Sequence, residues 1–202
     1  MKRILEVDRR IRGKITDLVD EPVIIRVKDF DEESAEKFSL EMNKAHNTGQ
    51  PVIPIVIDSF GGMVYSLISM ITDIDNAKVP VATIAIGKAM SCGCALLTCG
   101  TEGYRFMDKN ATVMMHDVSS WESGKMEELK AGIRQTERLH KKIFRRMAKN
   151  CGHSSDYFLK MMHQKGHAEW FLDYREAKKH NIVNAIRVPE FKTKLSVEIT
   201  FE

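Results

Sequence analysis

Apolar residues recur along this chain with two different periods. Pro22 to Val27 and Pro51 to Ile57 are nearly continuous apolar runs rich in valine and isoleucine, and between them Ala35, Phe38, Met42 and Ala45 recur at helical spacing from Asp31 to Asn47. This order reads as strand, helix, strand. Asp31, Glu32 and Glu33 put negative charge where a helix N-terminus favours it, and Asn47 to Gly49 supply the residues that end one. The pattern then repeats, predicting a helix over Met63 to Ile74, a strand over Val81 to Gly87 and a short helix of small residues from near Ser91. Strands connected through helices favour a mostly parallel sheet and an α/β fold.

Downstream, two short extended runs, Tyr104 to Met107 and Thr112 to Asp117, precede a long basic helix over Lys125 to Lys149. A helix over Ser155 to His163, another over Tyr174 to His180 and a strand over Ile182 to Arg187 follow. In the tail, alternation of Leu195, Val197, Ile199 and Phe201 predicts an edge strand. No repeat, low-complexity segment or long linker divides the 202 residues. One domain is expected over 1–202, with 1–21 as an N-terminal segment and 188–202 as a C-terminal tail.

Composition narrows the function classes. With 43% hydrophobic residues the chain can bury a real core. The N-terminal segment begins with basic residues but lacks the apolar stretch of a secretory signal, and no later stretch approaches a membrane span, so a cytoplasmic protein with no membrane contact is expected. A formal charge of +3 is too small to argue for nucleic acid or an acidic membrane. Lys125 to Lys149 does hold nine basic and three acidic residues. Within it, however, Leu129, Ile133, Thr136, Leu139 or His140, Ile143 and Met147 form an apolar stripe, leaving the charges for solvent or a neighbouring subunit. Phe144 is the single Phe, Tyr or Trp in this stretch, so aromatic residues do not interleave the charges to stack on successive bases. Cys92, Cys94, Cys99 and Cys151 are expected reduced and buried. Cys92 and Cys94 would be turned apart by a helix, which makes a poor zinc site.

Three segments carry chemistry. In Asp58-Ser59-Phe60-Gly61-Gly62 the paired glycines follow a buried strand and allow a sharp turn with exposed N–H groups, although a plain strand-to-helix turn would look the same. In Ala89-Met90-Ser91-Cys92-Gly93 a serine opens a helix among small residues, where N-capping alone would account for it. In Val113-Met114-Met115-His116 a histidine ends an apolar strand. A serine becomes a useful nucleophile only when a base takes its proton and a third group orients that base.

In order and spacing these segments resemble the Clp protease proteolytic subunit family over about Val23 to Arg187: Ser91 follows Gly62 by 29 residues, and His116 follows Ser91 by 25. The resemblance implies a Clp/crotonase-type spiral of β-α-β units with a helical handle. It implies a serine endopeptidase with Ser91 as nucleophile, His116 as general base and the Gly62 and Cys92 backbone N–H groups as oxyanion hole. The family usually carries an aspartate as third triad member where this chain has Glu169, and Asp173 is a nearby competitor. The implied partners are peptide or unfolded-protein substrates and further copies in a homo-oligomeric ring, heptameric or of stacked heptamers. No cofactor or metal is implied, and no ATP-binding loop is found, so any ATP use belongs to a partner.

Three features depart from the family pattern. Aromatic residues on the strand before the paired glycines help dock an AAA+ unfoldase in the family, whereas Pro54 and Val56 stand here, which puts that docking in question. After His116 the chain reads Val118-Ser119-Ser120-Trp121-Glu122-Ser123-Gly124 rather than a glycine-rich substrate strand. Together with the short N-terminal segment, these features resemble a divergent branch such as the phage-encoded members. Competing expectations are a catalytically silent ring component, a crotonase-type acyl-CoA enzyme, and a peptidase that matures phage structural proteins without an ATPase. Lys88, three residues before Ser91, is expected to point away from it. His163 and His167 are expected to be surface or structural residues.

Overall fold

A computed structural model describes residues 22–121 and 123–191. The first unit comprises β1 (Ile25–Val27), α1 (Glu32–Asn47) and β2 (Ile53–Ser59). Helix α1 starts where the sequence predicts because Asp31 accepts from the Ser34 N–H while the Ser34 hydroxyl accepts from the Asp31 N–H, a reciprocal cap. Its Ala35, Phe38, Met42 and Ala45 are all buried. In β2, Ile53, Ile55 and Ile57 are fully buried. Pro54 lies one position before β1 begins to pair at Ile55, so its missing donor leaves no gap in that ladder.

The second unit continues through α2 (Val64–Asp75), β3 (Val81–Met90) and α3 (Cys92–Leu97), whose six residues are all buried. Then come β4 (Arg105–Met107), β5 (Thr112–Met115), α4 (Met126–Asn150), α5 (Tyr157–Gln164), β6 (Trp170–Leu172), α6 (Tyr174–Lys179) and β7 (Ala185–Ile186). Strands run in the order β1-β2-β3-β4-β7, all parallel. The fold is thus the mostly parallel α/β architecture expected. Strand β3 is the pivot, since Thr83 to Ala85 pair with β4 whereas Lys88 to Met90 pair with β5. Strand β6 runs antiparallel to β5, pairing Met115 with Trp170 and Val113 with Leu172.

Several boundaries depart from expectation for identifiable reasons. Strand β3 continues three residues past Gly87, because that glycine takes φ +67° and bends the strand instead of ending it. Strand β6 was not expected, three residues being too short to show a period. Strand β7 is shorter than the predicted Ile182 to Arg187, since Ile182 and Val183 pack into the core outside any strand. The apolar stripe of α4 is buried only at its C-terminal end, at Ile143, Phe144 and Met147. Ile133 and Met126 remain 54% and 70% exposed, so the first part of this helix projects beyond the sheet as a handle would. The edge strand expected at Leu195 to Phe201 lies outside the described residues.

Arg105 is 1% exposed and ties the far end together, donating to the carbonyls of Asn150 and Asn181 and pairing with Glu102 at 2.9 Å. Among the described residues no helix is long and apolar enough to cross a membrane. All four cysteines are buried and unpaired with one another.

Candidate active site

Ser91 occupies the junction between β3 and α3, at the N-cap position of the helix, yet its side chain makes no capping bond. Its backbone adopts φ 52° and ψ −117°, a region that L-residues enter only under constraint. That constraint is visible: the Ser91 N–H donates to the Met114 carbonyl at 2.8 Å, while its own carbonyl accepts from Ala95 inside α3. The sharp turn lifts the hydroxyl out of the helix axis toward β5, as in a strained strand-to-helix elbow. There Ser91 Oγ lies 2.8 Å from His116 Nε2, the distance of a full hydrogen bond.

The paired-glycine turn packs directly on this elbow. A Cβ on Gly61, which sits at φ +108°, would lie 2.7 Å from Ser91 Cβ and 3.0 Å from the Met90 carbonyl oxygen. Gly62 is fixed from the other side, where a Cβ would lie 2.6 Å from the Phe30 carbonyl oxygen. The same carbonyl accepts from the Met63 N–H at 2.6 Å. Buried Ser59 accepts from the Gly61 N–H at 3.0 Å, bracing the turn from within. Cys92 opens α3, so its N–H has no partner four residues back. Its thiol donates to the Gly62 carbonyl at 3.1 Å, joining the two oxyanion candidates directly, and burial pushes that thiol above its ordinary pKa.

Beside Ser91 and His116 a cavity of about 60 Å³ opens, walled by Leu67, Ala95, Met115, Ile143, Phe144 and Met147. Its apolar wall would receive an uncharged side chain.

The carboxylates behave differently. Neither Glu169 nor Asp173 hydrogen-bonds to His116 among the described residues. Asp173 instead caps α6, accepting from the N–H groups of Arg175 and Glu176. Glu169 is exposed just before β6. Asp117, next to the histidine, accepts from His167 Nδ1 at 2.7 Å and faces His140 Nε2 at 3.8 Å. His163 in turn contacts His167 at 3.3 Å. Lys88 points away from Ser91, as expected, and pairs with Asp58 at 2.8 Å.

Sequence reasoning missed Ser59, Asp58 and the contact made by Gly61. Only the first left a readable trace, as a hydroxyl two residues before a glycine in a strand-to-helix turn.

The sequence profile of the Clp protease family matches residues 7–190. The chain belongs to the Clp protease family. As a Clp-type peptidase it acts on peptide bonds, and the cavity, the elbow and the glycine turn meet at one end of the parallel strands, the usual place for a site in such sheets. Among the described residues no cluster of histidine, cysteine or carboxylate side chains is arranged to hold a metal ion.

Proposed function

We propose that this protein is a serine endopeptidase in which Ser91 attacks the peptide carbonyl, His116 takes and returns the proton, and the Gly62 and Cys92 N–H groups hold the oxyanion. The observation that carries this reading is the 2.8 Å contact between Ser91 Oγ and His116 Nε2 at a backbone turn that holds the hydroxyl off the helix. Attack forms the Oγ–carbon bond as the Oγ proton passes to Nε2, and the carbonyl electron pair moves onto the oxygen. When the tetrahedral species collapses, the C–N bond breaks and His116 protonates the departing amine. Water activated by the same imidazole then releases the acyl group from Ser91. Each backbone donor in such a hole typically lowers the barrier by about 3 kcal/mol.

Glu169 is the orienting carboxylate in this mechanism. The antiparallel ladder ends by pairing Met115 with Trp170, and the same register carried one step beyond it would bring position 116 opposite position 169. Directly opposed residues in such a ladder share a face and have Cβ atoms about 5 Å apart. Asp173 lies four residues farther along, about 13 Å by strand rise, and its oxygen is committed to capping α6. The projecting part of α4 and Trp121, 93% exposed, suit assembly of several copies into a ring that encloses the sites. A crotonase-type enzyme would need no serine–histidine contact, and a silent ring component would need no strained elbow.

The test is intact-mass analysis after fluorophosphonate treatment of folded wild type and Ser91→Ala. A single adduct on wild type alone is expected. Unlabelled wild type that is folded and assembled would leave the silent component or the acyl-CoA enzyme.

A further inference from the structure

The β2–β3 ladder is interrupted just before the site. Ile57 stands opposite Ala85, but Ser59 stands opposite Ala89, so β3 spends four residues where β2 spends two. Within this gap Asp58 faces the stretch from Ile86 to Lys88 without regular backbone pairing. From the same gap β2 departs toward Gly61 and Gly62, and β3 departs toward the Ser91 elbow. Backbone pairing resumes only at Ser59 and Ala89, so within the gap itself the ladder does not fix the two segments to each other.

Side chains close the gap. Gly87 absorbs part of the excess at φ +67°, and Asp58 Oδ1 fills the space 2.8 Å from where a Cβ of residue 87 would lie. Lys88 Nζ sits 2.8 Å from the same oxygen and 4.4 Å from the ring centroid of Phe60, which lies one residue before Gly61. One ammonium thus holds two points of the strand that leads into the glycine turn. Hydrogen bonding to Lys88 is the main reason the Asp58 carboxyl sits below its ordinary pKa.

A pair this exposed, at 26% and 42% of the two side chains, adds little to global stability. Its position gives it a different use, because displacing an oxyanion donor by a fraction of an ångström is costly to rate. We propose that Asp58 and Lys88 act as positioning residues, a clasp across the interrupted ladder that sets the turn 59–62 against the Ser91 elbow. Their effect on rate rests on the serine-peptidase reading above. Their effect on the turn does not.

The experiment compares wild type, Lys88→Met, Asp58→Asn and Lys88→Arg in their assembled form, by peptide hydrolysis, thermal melting and amide hydrogen exchange. Lys88→Met and Asp58→Asn should lower kcat about tenfold, with KM and melting temperature close to wild type. Exchange should speed up in the peptide covering 58–63 and stay unchanged in β1 and α1. Lys88→Arg, which keeps the charge and reach, should recover most of the rate. Wild-type kcat and exchange in Lys88→Met would overturn the clasp, as would a rate loss without faster exchange or a general loss of stability that Arg does not rescue. Should wild type neither label with fluorophosphonate nor cleave peptide, the peptidase reading falls. Exchange at 58–63 then decides the clasp alone, with unchanged protection in Lys88→Met overturning it.

Discussion

Replacing Gly61 by alanine tests the contact between the glycine turn and the serine elbow. The added Cβ would meet Ser91 Cβ at 2.7 Å, whereas ordinary contact begins at 3.4 Å, so the turn must retreat by about 0.7 Å. Neither neighbour can yield, because the other close atoms, the Met90 carbonyl oxygen and the Cys92 nitrogen, belong to the backbone of the elbow itself. A donor placed about 2.9 Å from the oxyanion would then stand about 3.6 Å away, beyond a useful hydrogen bond. The expected result is the loss of about one oxyanion donor, a fall of roughly 10²- to 10³-fold in kcat. Alanine at φ +108° would also cost about 1–3 kcal/mol of stability. Gly103→Ala provides the control, since it lies at φ +86° with nothing within 4 Å and should pay the strain without touching rate. The assay is hydrolysis of a short fluorogenic peptide with an apolar residue before the cleaved bond, alongside thermal melting. A folded Gly61→Ala protein with kcat within about threefold of wild type would refute the reasoning, because the donor would then tolerate the displacement.

Further outcomes follow from other parts of the molecule. Glu169→Gln should reduce kcat by up to about 10⁴-fold, while Asp173→Ala should cost about 1 kcal/mol through its lost cap and leave kcat intact. The reverse pattern in the same peptide assay would transfer the orienting role to Asp173. Burial raises the thiols of Cys99 and Cys151 to about 11 and about 12, and it raises those of Cys92 and Cys94 as well. Mass analysis after iodoacetamide treatment should therefore find no adduct on the native chain and four after unfolding, and rapid native labelling of Cys92 would contradict its burial. Burial also depresses His140 and His180 below the ordinary 6.5, outweighing the opposing pull of Asp117 on His140. The folded chain then binds fewer protons than the unfolded one, so this stability is present above pH 6.5 and is lost as pH falls toward the lower folded-state values. Melting temperature should drop between about pH 7 and pH 5, and a His140→Gln, His180→Gln double variant should flatten that slope. An identical slope in the variant would assign the acid limb to other groups.

The repeating units were legible wherever one local rule decided the outcome. Asp31 and the buried row Ala35, Phe38, Met42 and Ala45 placed α1 to within a residue, since cap and stripe agreed. Gly87 misled because glycine ends a strand and bends one with the same letter, and only the pairing of Lys88 to Met90 with β5 separates the two. Strand β6 carried too few residues for alternation to show. Its absence from the reading left Glu169 and Asp173 hard to tell apart, because the proposed choice of Glu169 rests on the antiparallel register with β5. Asp173 did carry a cap signature in Asp-x-x-Glu before a short helix. The Ser91–His116 contact depends on β3 and β5 being neighbours across 25 residues, which spacing alone does not dictate. The clasp was illegible because it exists only through a register shift.

The division of β3 between two partners has a mechanical consequence. Its first half carries β4 and β7, and its last three residues carry β5 and, through it, β6. Ser91, His116 and Glu169 all follow the second branch, whereas the glycine turn extends β2, which pairs along the first half and meets the second only at Ser59 and Ala89. Force arriving from a neighbouring subunit through the projecting end of α4 would therefore move serine and histidine together. It would be felt as a sliding of that pair past the glycine turn, along a seam spanned by the Ser59–Ala89 pairing, the Gly61 packing, the Cys92 thiol and the Asp58–Lys88 pair.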